Sequence, residues 1–373
     1  MKINKLLLLV AFSGLLMVLF GCRKANFDAD YIAVHKDGVF IEVPEVSELA
    51  FVIVALTDYS DHNKWHIYKE SAYYNDVIKH FGKYKDEAIV RKFDAAINRY
   101  EDFVLAFEIE TYSYEFDSDN FIKRKKNFKS EAIAGINLVN PYIDEMQAFA
   151  DKTNFRAFYK AHQSTYDAQI AYYRDTANFP KMVDWCETNF PNNEYDAFRI
   201  IFSPLTYANQ STLTVSNNGF SEPHLNVNYP YFNKKITEST DIRRTPYVFT
   251  ELNHNFIGPE VEKYKDRIKT IFKDRSKWQD LNNKTTSSYK KPLDVFEEYM
   301  NWALVSLWYL DNSTNEDQTN EYISDMENTM VKGRGFTQFV GFNQEFIRLY
   351  KAKQPAETVA SLFPKIIDWC EQH

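Results

Sequence analysis

Apolar residues recur every three or four positions over most of the chain, which is the spacing of one face of a helix. This spacing predicts helices from Tyr73 to about Phe107 and over residues 130–175. A further amphipathic helix is predicted from Pro292 onward. The apolar stripe of that helix consists of Leu293, Phe296, Met300, Ala303, Leu304 and Leu307.

A few shorter segments alternate apolar and polar residues, as strands do. Residues 39–43 and 198–202 are predicted strands, and residues 212–215 and 225–229 are a predicted antiparallel pair joined by an Asn-Asn-Gly turn. The apolar stretch 46–56 fits a strand or a helix, because periodicity alone does not distinguish them. The order of elements predicts an α+β fold dominated by helices, with a small, largely antiparallel sheet and extra helices at both termini.

The composition agrees with a helical protein and removes several classes of function. Gly 10 and Pro 12 in 373 residues are too few for a turn-rich sandwich or barrel. The net charge of −8 lacks the electrostatic signature of a nucleic-acid-binding protein, so no nucleic-acid partner is expected. With only 3 Cys, the chain does not have a disulfide framework.

The first 21 residues predict an export signal. Lys2 and Lys5 precede an apolar run over residues 6–20, and a small residue follows. This is the order of a secretory signal peptide. The run is also short for a membrane-spanning helix, which needs roughly 20 residues.

The end of this signal resembles a bacterial lipobox. Residues 19–22 read Leu-Phe-Gly-Cys, so Cys22 is the expected site of acylation and of attachment to the membrane. Phe20 is bulkier than the residue usually found there, and a plain signal peptide cut elsewhere is the alternative. The expectation is a lipid-anchored protein of the bacterial cell envelope, on its periplasmic side or outer surface, with residues 22–37 as a tether.

Two distant segments are nearly identical. Residues 179–187 and 363–371 both read Phe-Pro-Lys-x-x-Asp-Trp-Cys-Glu. Each predicts the start of a helix with Pro near its first position and Cys turned inward. Cys186 and Cys370 are therefore either two buried thiols or, outside the cytoplasm, the two halves of a disulfide.

The segment with the clearest chemistry is a helix predicted from Thr245 to the Gly258-Pro259 pair, which is a typical helix end. Residues 250–254 read Thr-Glu-Leu-Asn-His, which is the frame of the zinc-binding sequence H-E-x-x-H with Thr at the first position. In that frame the first and last residues lie about 40° apart around the helix, so two His point at one metal ion. The Glu then acts as general base on the metal-bound water.

A third candidate ligand lies on the later amphipathic helix. Glu298 is away from the centre of the apolar stripe, where its carboxylate can point across at His254. Two His and a Glu from a later helix complete one type of catalytic zinc site. Glu251 is the corresponding candidate for the general base.

These segments resemble an uncharacterised lipoprotein family of Bacteroides-type bacteria, which is itself similar to the gluzincin metallopeptidases. In that family the helix usually reads H-E-F-x-H-S-F-x-N-P-x-x-x-x-Y, and a later E-x-x-x-R-A segment is matched here by residues 298–303, with Trp302 in place of Arg. The resemblance is best over residues 198–310. It implies a zincin-like fold, with His254 and Glu298 as zinc ligands and Glu251 as general base.

The departure at Thr250 governs the functional expectation, because a hydroxyl is a poor zinc ligand compared with imidazole. The first hypothesis is a metallopeptidase-like lipoprotein with little or no activity, in which zinc is a weakly held candidate cofactor and a peptide is the candidate ligand. The second is an active zinc metallopeptidase that uses His224 as a surrogate ligand. The third is a helical surface lipoprotein that binds glycans through its 25 Tyr and 6 Trp.

The predicted organisation has two parts after the tether. Residues 38–175 are the mainly helical N-terminal region, and residues 176–373 are the zincin-like region with C-terminal helices.

Overall fold

The computed structural model describes residues 25–63, 66–99, 103–128, 139–207, 210–228, 246–286 and 289–373. The predicted signal peptide and Cys22 lie outside these residues. The α-helices of the described residues are α1 Ala29–His35, α2 Glu45–Ala55, α3 Asp58–His62, α4 Ala72–Phe81, α5 Ala88–Arg99, α6 Phe103–Thr111, α7 Ile143–Thr153, α8 Phe155–Ala161, α9 Gln163–Ala171, α10 Phe179–Asn189, α11 Pro246–Lys263, α12 Lys265–Ile271, α13 Pro292–Asn312, α14 Glu316–Asn328, α15 Phe339–Ala352 and α16 Phe363–Gln372. The strands are β1 Gly38–Glu42, β2 Tyr114–Phe116, β3 Ile122–Arg124, β4 Ala197–Phe202, β5 Ser211–Asn217 and β6 Phe220–Val227. The predicted helix-dominated α+β fold is confirmed.

The main sheet has four strands in the spatial order β1, β4, β6, β5. The β5–β6 hairpin turns through Asn218 and Gly219, which both have positive φ, and it is antiparallel as predicted. The other two pairs, β1–β4 and β4–β6, are parallel. The expectation of a largely antiparallel sheet is therefore wrong. Long helical connections separate β1 from β4, and such crossovers allow parallel pairing.

The sheet divides the core into two layers, because successive side chains of a strand point to opposite faces. Along β4, Phe198 and Ile200 join the large core that contains the side chains of α11. Ala197 and Ile201 instead join a smaller layer with Phe220. We refer to the side of the sheet that carries α11 as the front face and to the other as the back face.

Two segments adopt structures that local sequence did not determine. The ambiguous stretch 46–56 is mostly helix α2, and nearly all of its side chains are buried. Helix α11 continues to Lys263 through Gly258 and Pro259, where the sequence predicted its end. Because α11 is buried over most of its length, tertiary packing outweighs the weak local stop.

The described part of the predicted tether packs against the body instead of extending from it. Ala25 forms an isolated β-bridge with Phe128 and is fully buried. Phe27 is also fully buried in the back layer, and its ring stacks on that of Tyr31 in α1 at 4.4 Å between centroids. Within the predicted tether of residues 22–37, these apolar side chains therefore fill the back layer.

The two similar Cys-containing segments are both helices, as predicted. Cys186 in α10 and Cys370 in α16 are buried, free thiols, so the disulfide hypothesis is not borne out. The sulfur of Cys186 instead donates to Oδ1 of Asn253 over 3.5 Å. Burial raises the pKa of both thiols, which keeps them protonated and unreactive.

Candidate functional site

The two helices that carry the predicted motif residues pack directly against each other. One side of α11 lies on β5 and β6, and another side contacts α13. Thr250, Glu251 and His254 are buried on α11, and Glu298 is buried on α13. Residues that are distant in sequence therefore meet in one buried place on the front face.

His254 and Glu298 lie together, as the sequence predicts. Asn301, which follows Glu298 by about one turn of α13, donates from Nδ2 to Nε2 of His254 over 3.0 Å. Burial lowers the pKa of His254, and the negative charge of Glu298 opposes that shift. An imidazole and a carboxylate from separate helices thus share one site.

The carboxylate of Glu298 is bound by an arginine. Its Oε1 accepts hydrogen bonds from Nη2 of Arg334 at 2.5 Å and from Nε1 of Trp302 at 2.9 Å. Burial, the largest single influence, raises the pKa of Glu298, but the charges of Arg334 and His254 and the hydrogen bonds from Trp302 and Arg334 together outweigh it, so the pKa is lowered. We call Glu251, His254, Glu298 and Arg334 the front cluster.

The guanidinium of Arg334 is held from several sides. Its Nη2 also donates to the hydroxyl of Tyr289 at 2.9 Å. Its central carbon lies 5.0 Å from the centre of the Trp302 ring and 5.5 Å from that of Phe336, which are cation–π distances. Trp302 thus contacts both Arg334 and Glu298.

Arg334 is the residue that the sequence analysis missed. It follows a π-helical segment, Thr329–Gly333, and precedes Gly335, whose φ is +81°. A Cβ at Gly335 would lie 2.8 Å from Cβ of Asn283, so only glycine fits this position without displacement. An arginine between two glycines, in a chain with Gly 10 in total, was the available sequence signal.

The carboxyl of Glu251 is nearly enclosed. Its Oε1 accepts a hydrogen bond from Nε2 of Gln210 at 3.3 Å. Burial, followed by the negative charge of Glu298, raises the pKa of Glu251 to about 8. At neutral pH this carboxyl is therefore mostly protonated, and a protonated carboxyl is not a general base.

The imidazole of His254 is neutral and incompletely hydrogen-bonded. In the orientation that the structure gives the Asn301 amide, its nitrogen donates to Nε2 of His254, which assigns the hydrogen of the neutral imidazole to Nδ1. Nδ1 is buried and has no hydrogen-bond partner among the described residues. The lone pair of Nε2 is thus used by Asn301, and Nδ1 carries a proton. Neither ring nitrogen can bind a metal ion in this state.

The residues present do not fit a zinc ion. Oγ1 of Thr250 donates to the carbonyl oxygen of Tyr247 over 3.0 Å, a bond within the helix. Nε2 of His254 and Oε1 of Glu298 are engaged by Asn301 and Arg334. Within the described residues, no group of three His, Cys, Asp or Glu is arranged to hold a metal ion.

His224 cannot complete the site, because it points to the back face. Thr212 and Thr214 of β5 hydrogen-bond with Asn255 of α11, so they face the front. Leu213 lies between them in β5 and belongs to the back layer. His224 is paired with Leu213, and paired residues of an antiparallel ladder share a face. The proposed surrogate ligand is therefore separated from the front cluster by the sheet.

On the back face His224 belongs to a second buried group of charges. Its Nε2 contacts Oε1 of Glu222 at 2.8 Å, and Nε of Arg199 contacts the same oxygen at 2.5 Å. The hydroxyl of Tyr31 donates to Oε2 of Glu222 over 3.1 Å. We call Arg199, Glu222 and His224 the back cluster.

The aromatic residues give no support to a glycan-binding platform. Phe121 is the one exposed aromatic side chain among the described residues, at 56%. The other described Phe, Tyr and Trp side chains whose burial is defined are buried or half-buried and pack mainly against one another. Their abundance therefore reflects the composition of the core.

Comparisons with known proteins do not identify a family. The chain matches no family model, no curated protein and no solved structure. No helix of the described residues is long and apolar enough to cross a membrane.

Proposed function

We propose that this chain is a cell-envelope lipoprotein with a metallopeptidase-like arrangement of helices, in which the zinc site is incomplete and peptide is bound but not cleaved. One observation carries the proposal. The groups corresponding to the zinc ligands are engaged by Arg334, Asn301 and the backbone of Tyr247. A metal ion would have to break these contacts before it could bind.

The electrostatics of Glu251 support the absence of catalysis. A general base must be ionised at the working pH and must reach a water molecule near the substrate. The Glu251 pKa of about 8, raised chiefly by burial, leaves little of the ionised form at neutral pH. Its side chain is also nearly inaccessible, since Glu251 is 9% exposed.

The edge of the sheet supports peptide binding. β5 is the last strand in the sheet order, and within the described residues no strand pairs with its outer side. Ser221 of β6 directs its backbone N and O towards Asp196 and not towards β5. Its partner Ser216 therefore belongs to a non-hydrogen-bonded pair and directs its own N–H and C=O outward. An extended peptide can add to such an edge through main-chain hydrogen bonds.

Fluorescence anisotropy with labelled, unstructured peptides tests the binding. Ser216→Pro removes an outward N–H without removing a main-chain hydrogen bond to β6. Ser216→Ala is the matched control, because it keeps the N–H and, like Ser216→Pro, loses the side-chain hydrogen bond to Ser221. We expect at least about tenfold weaker binding for Ser216→Pro and unchanged binding for Ser216→Ala. Equal affinities of all three chains would reject strand addition at β5.

An assay with denatured casein and added zinc tests the absence of catalysis. The expected result is that the wild-type chain and Glu251→Gln produce the same background of fragments. Cleavage that is abolished by a chelator and by Glu251→Gln would overturn the proposal and restore the active metallopeptidase.

The lipid anchor is supported by the sequence around Cys22. Ala25 is fixed to the body, and only Arg23 and Lys24 lie between it and Cys22, so the three Cα–Cα steps from Cys22 to Ala25 span at most about 10 Å. The body would therefore lie close to the bilayer. Cys22→Ser should move the chain from the membrane fraction to the soluble fraction, whereas Phe20→Ala should leave it in the membrane. A Cys22→Ser chain that stays in the membrane would reject lipidation at this residue.

A further inference from the structure

The front cluster contains two carboxyl groups and one permanent cation. Glu251 and Glu298 are both nearly buried, and Arg334 has only 19% of its side chain exposed. A buried carboxylate needs a nearby positive charge or several donors, because it has lost its hydration. In a zinc site that charge comes from the metal ion.

We infer that Arg334 is the built-in cation of the front cluster and excludes zinc from it. The inference rests on the proposed function and names the residue that keeps the site free of metal. Thr250 is then only one of two obstacles to metal binding, and the second is a guanidinium that neutralises Glu298. Restoring an imidazole at position 250 is not sufficient while Arg334 remains.

The contacts of Glu298 Oε1 support this assignment. The oxygen accepts from Arg334 and from Trp302, so both of its usual acceptor directions are in use. Arg334 is a poor group to displace, because Tyr289 and the ring of Trp302 fix the guanidinium in place. A zinc ion at Glu298 would also lie against a fixed positive charge.

The backbone geometry on both sides of Arg334 independently supports the inference that this residue excludes zinc. Gly335 has a left-handed backbone conformation and lies against Asn283, whose Nδ2 donates to the carbonyl oxygen of Gly333 over 3.0 Å. The carbonyl oxygen of Gly335 accepts from the backbone N–H of Asp280 at 2.7 Å. The backbone on both sides of Arg334 is thus anchored, and the guanidinium is held towards α13.

Zinc binding by engineered chains tests the inference. The wild type, Thr250→His, Arg334→Met and the double variant are dialysed against buffered zinc, and bound metal is measured by elemental analysis. The double variant should bind one zinc per chain at least about tenfold more tightly than Thr250→His. Thr250→His combined with Arg334→Lys, which keeps a charge, should behave like Thr250→His alone. Addition of His254→Ala to the double variant should abolish the binding.

Two results would overturn the inference. One is Thr250→His binding zinc as tightly as the double variant, and the other is no zinc binding by the folded double variant. Tight zinc binding by the wild type has a different meaning, because it would remove the proposed function itself.

A measurement without metal covers the case in which the double variant does not fold. Glu298→Gln and Arg334→Met should each lower the midpoint of urea unfolding, and the chain with both changes should unfold at a higher urea concentration than either single variant. Additive losses would show that Arg334 does not act through the charge of Glu298, and they would overturn the inference.

Discussion

The front and back clusters contain the same three types of charged or titratable residue on opposite faces of one sheet. In the back cluster, Glu222 accepts from Arg199, His224 and Tyr31, so both of its oxygens are used. In the front cluster, Nδ1 of His254 has no hydrogen-bond partner within the part of the chain that the structure describes. The back cluster has the matched donors and acceptors of a structural network, whereas the front cluster keeps an unsatisfied polar atom, which is typical of a functional or formerly functional site.

The pKa values of the carboxyls differ in the same way. Burial raises the pKa of Glu222, but the hydrogen bond from His224 and the charge of Arg199 outweigh it and lower the pKa to about 2. Burial and the charge of Glu298 raise the pKa of Glu251 to about 8. Arg, Glu and His in one buried place are therefore not diagnostic of function, and the hydrogen-bond pattern distinguishes the two cases.

The largest expected effect is on the back cluster. Glu222→Gln removes the more buried of the two carboxylates that contact Arg199, the other being that of Glu42, and it also removes the charge beside His224. The free energy of unfolding should therefore fall by about 3–5 kcal/mol. Urea unfolding followed by circular dichroism measures this change. Glu262→Gln, on the exposed side of α11, is the control and should change it by less than about 1 kcal/mol. A loss of that small size for Glu222→Gln would contradict the structural role of the back cluster.

Removal of Arg334 from the front cluster should lower the free energy of unfolding by less than Glu222→Gln does. Arg334→Met leaves Glu298 unpaired, but 19% of the Arg334 side chain is exposed, so water can reach part of the site. We expect a loss of about 2–3 kcal/mol in the same urea experiment, smaller than for Glu222→Gln. A larger loss than for Glu222→Gln would reverse the proposed order of the clusters.

The two clusters should respond to pH in opposite directions. Glu222 has a folded pKa below the ordinary value of 4.5, so its stabilisation is present above pH 4.5 and is lost as the pH falls towards 2. Glu251 has a folded pKa above 4.5, so its stabilisation is present below pH 4.5 and is lost as the pH rises through about 8.

Urea unfolding of Glu251→Gln at several pH values tests this difference. Its free energy of unfolding relative to the wild type should increase by roughly 3 kcal/mol between pH 5 and pH 8, because the variant has no carboxyl to ionise. Glu222→Gln should show its relative gain at acid pH instead. Parallel curves for Glu251→Gln and the wild type would contradict the raised pKa.

The smallest expected effect is at the position that first suggested a lost metal ligand. Among the described residues, the one hydrogen-bond partner of Thr250 Oγ1 is the carbonyl oxygen of Tyr247 in the same helix. Thr250→Val should therefore change the free energy of unfolding by less than about 1 kcal/mol and leave peptide binding unchanged. A marked loss of peptide affinity in Thr250→Val would mean that this hydroxyl contacts the ligand.

The sequence predicted those parts of the fold that depend on local periodicity. The β5–β6 hairpin follows from its turn residues, and α13 follows from a long apolar stripe. Strand direction and the continuation of α11 past Pro259 were missed, because both depend on what packs against the element. The same limit applies to the described start of the chain, where Phe27 is buried by a layer assembled from distant strands.

The candidate site was likewise predictable where it depends on local helical periodicity, and not where it depends on packing. Helical spacing fixed the face of each helix on which His254 and Glu298 lie, and the two-His-plus-Glu pattern of zinc sites supplied the prediction that the two helices meet there. Arg334 has no fixed spacing from either residue, and its position depends on a π-helical segment and a left-handed glycine. The face on which His224 lies was equally hidden, since it depends on strand register.

The zinc content of the wild-type chain tests the central claim most directly. The purified chain is dialysed against micromolar free zinc and analysed by native mass spectrometry, with His254→Ala and Glu298→Gln alongside. Our account predicts well under one zinc per chain and the same residual content in all three proteins. One zinc per wild-type chain, lost in both variants, would contradict it.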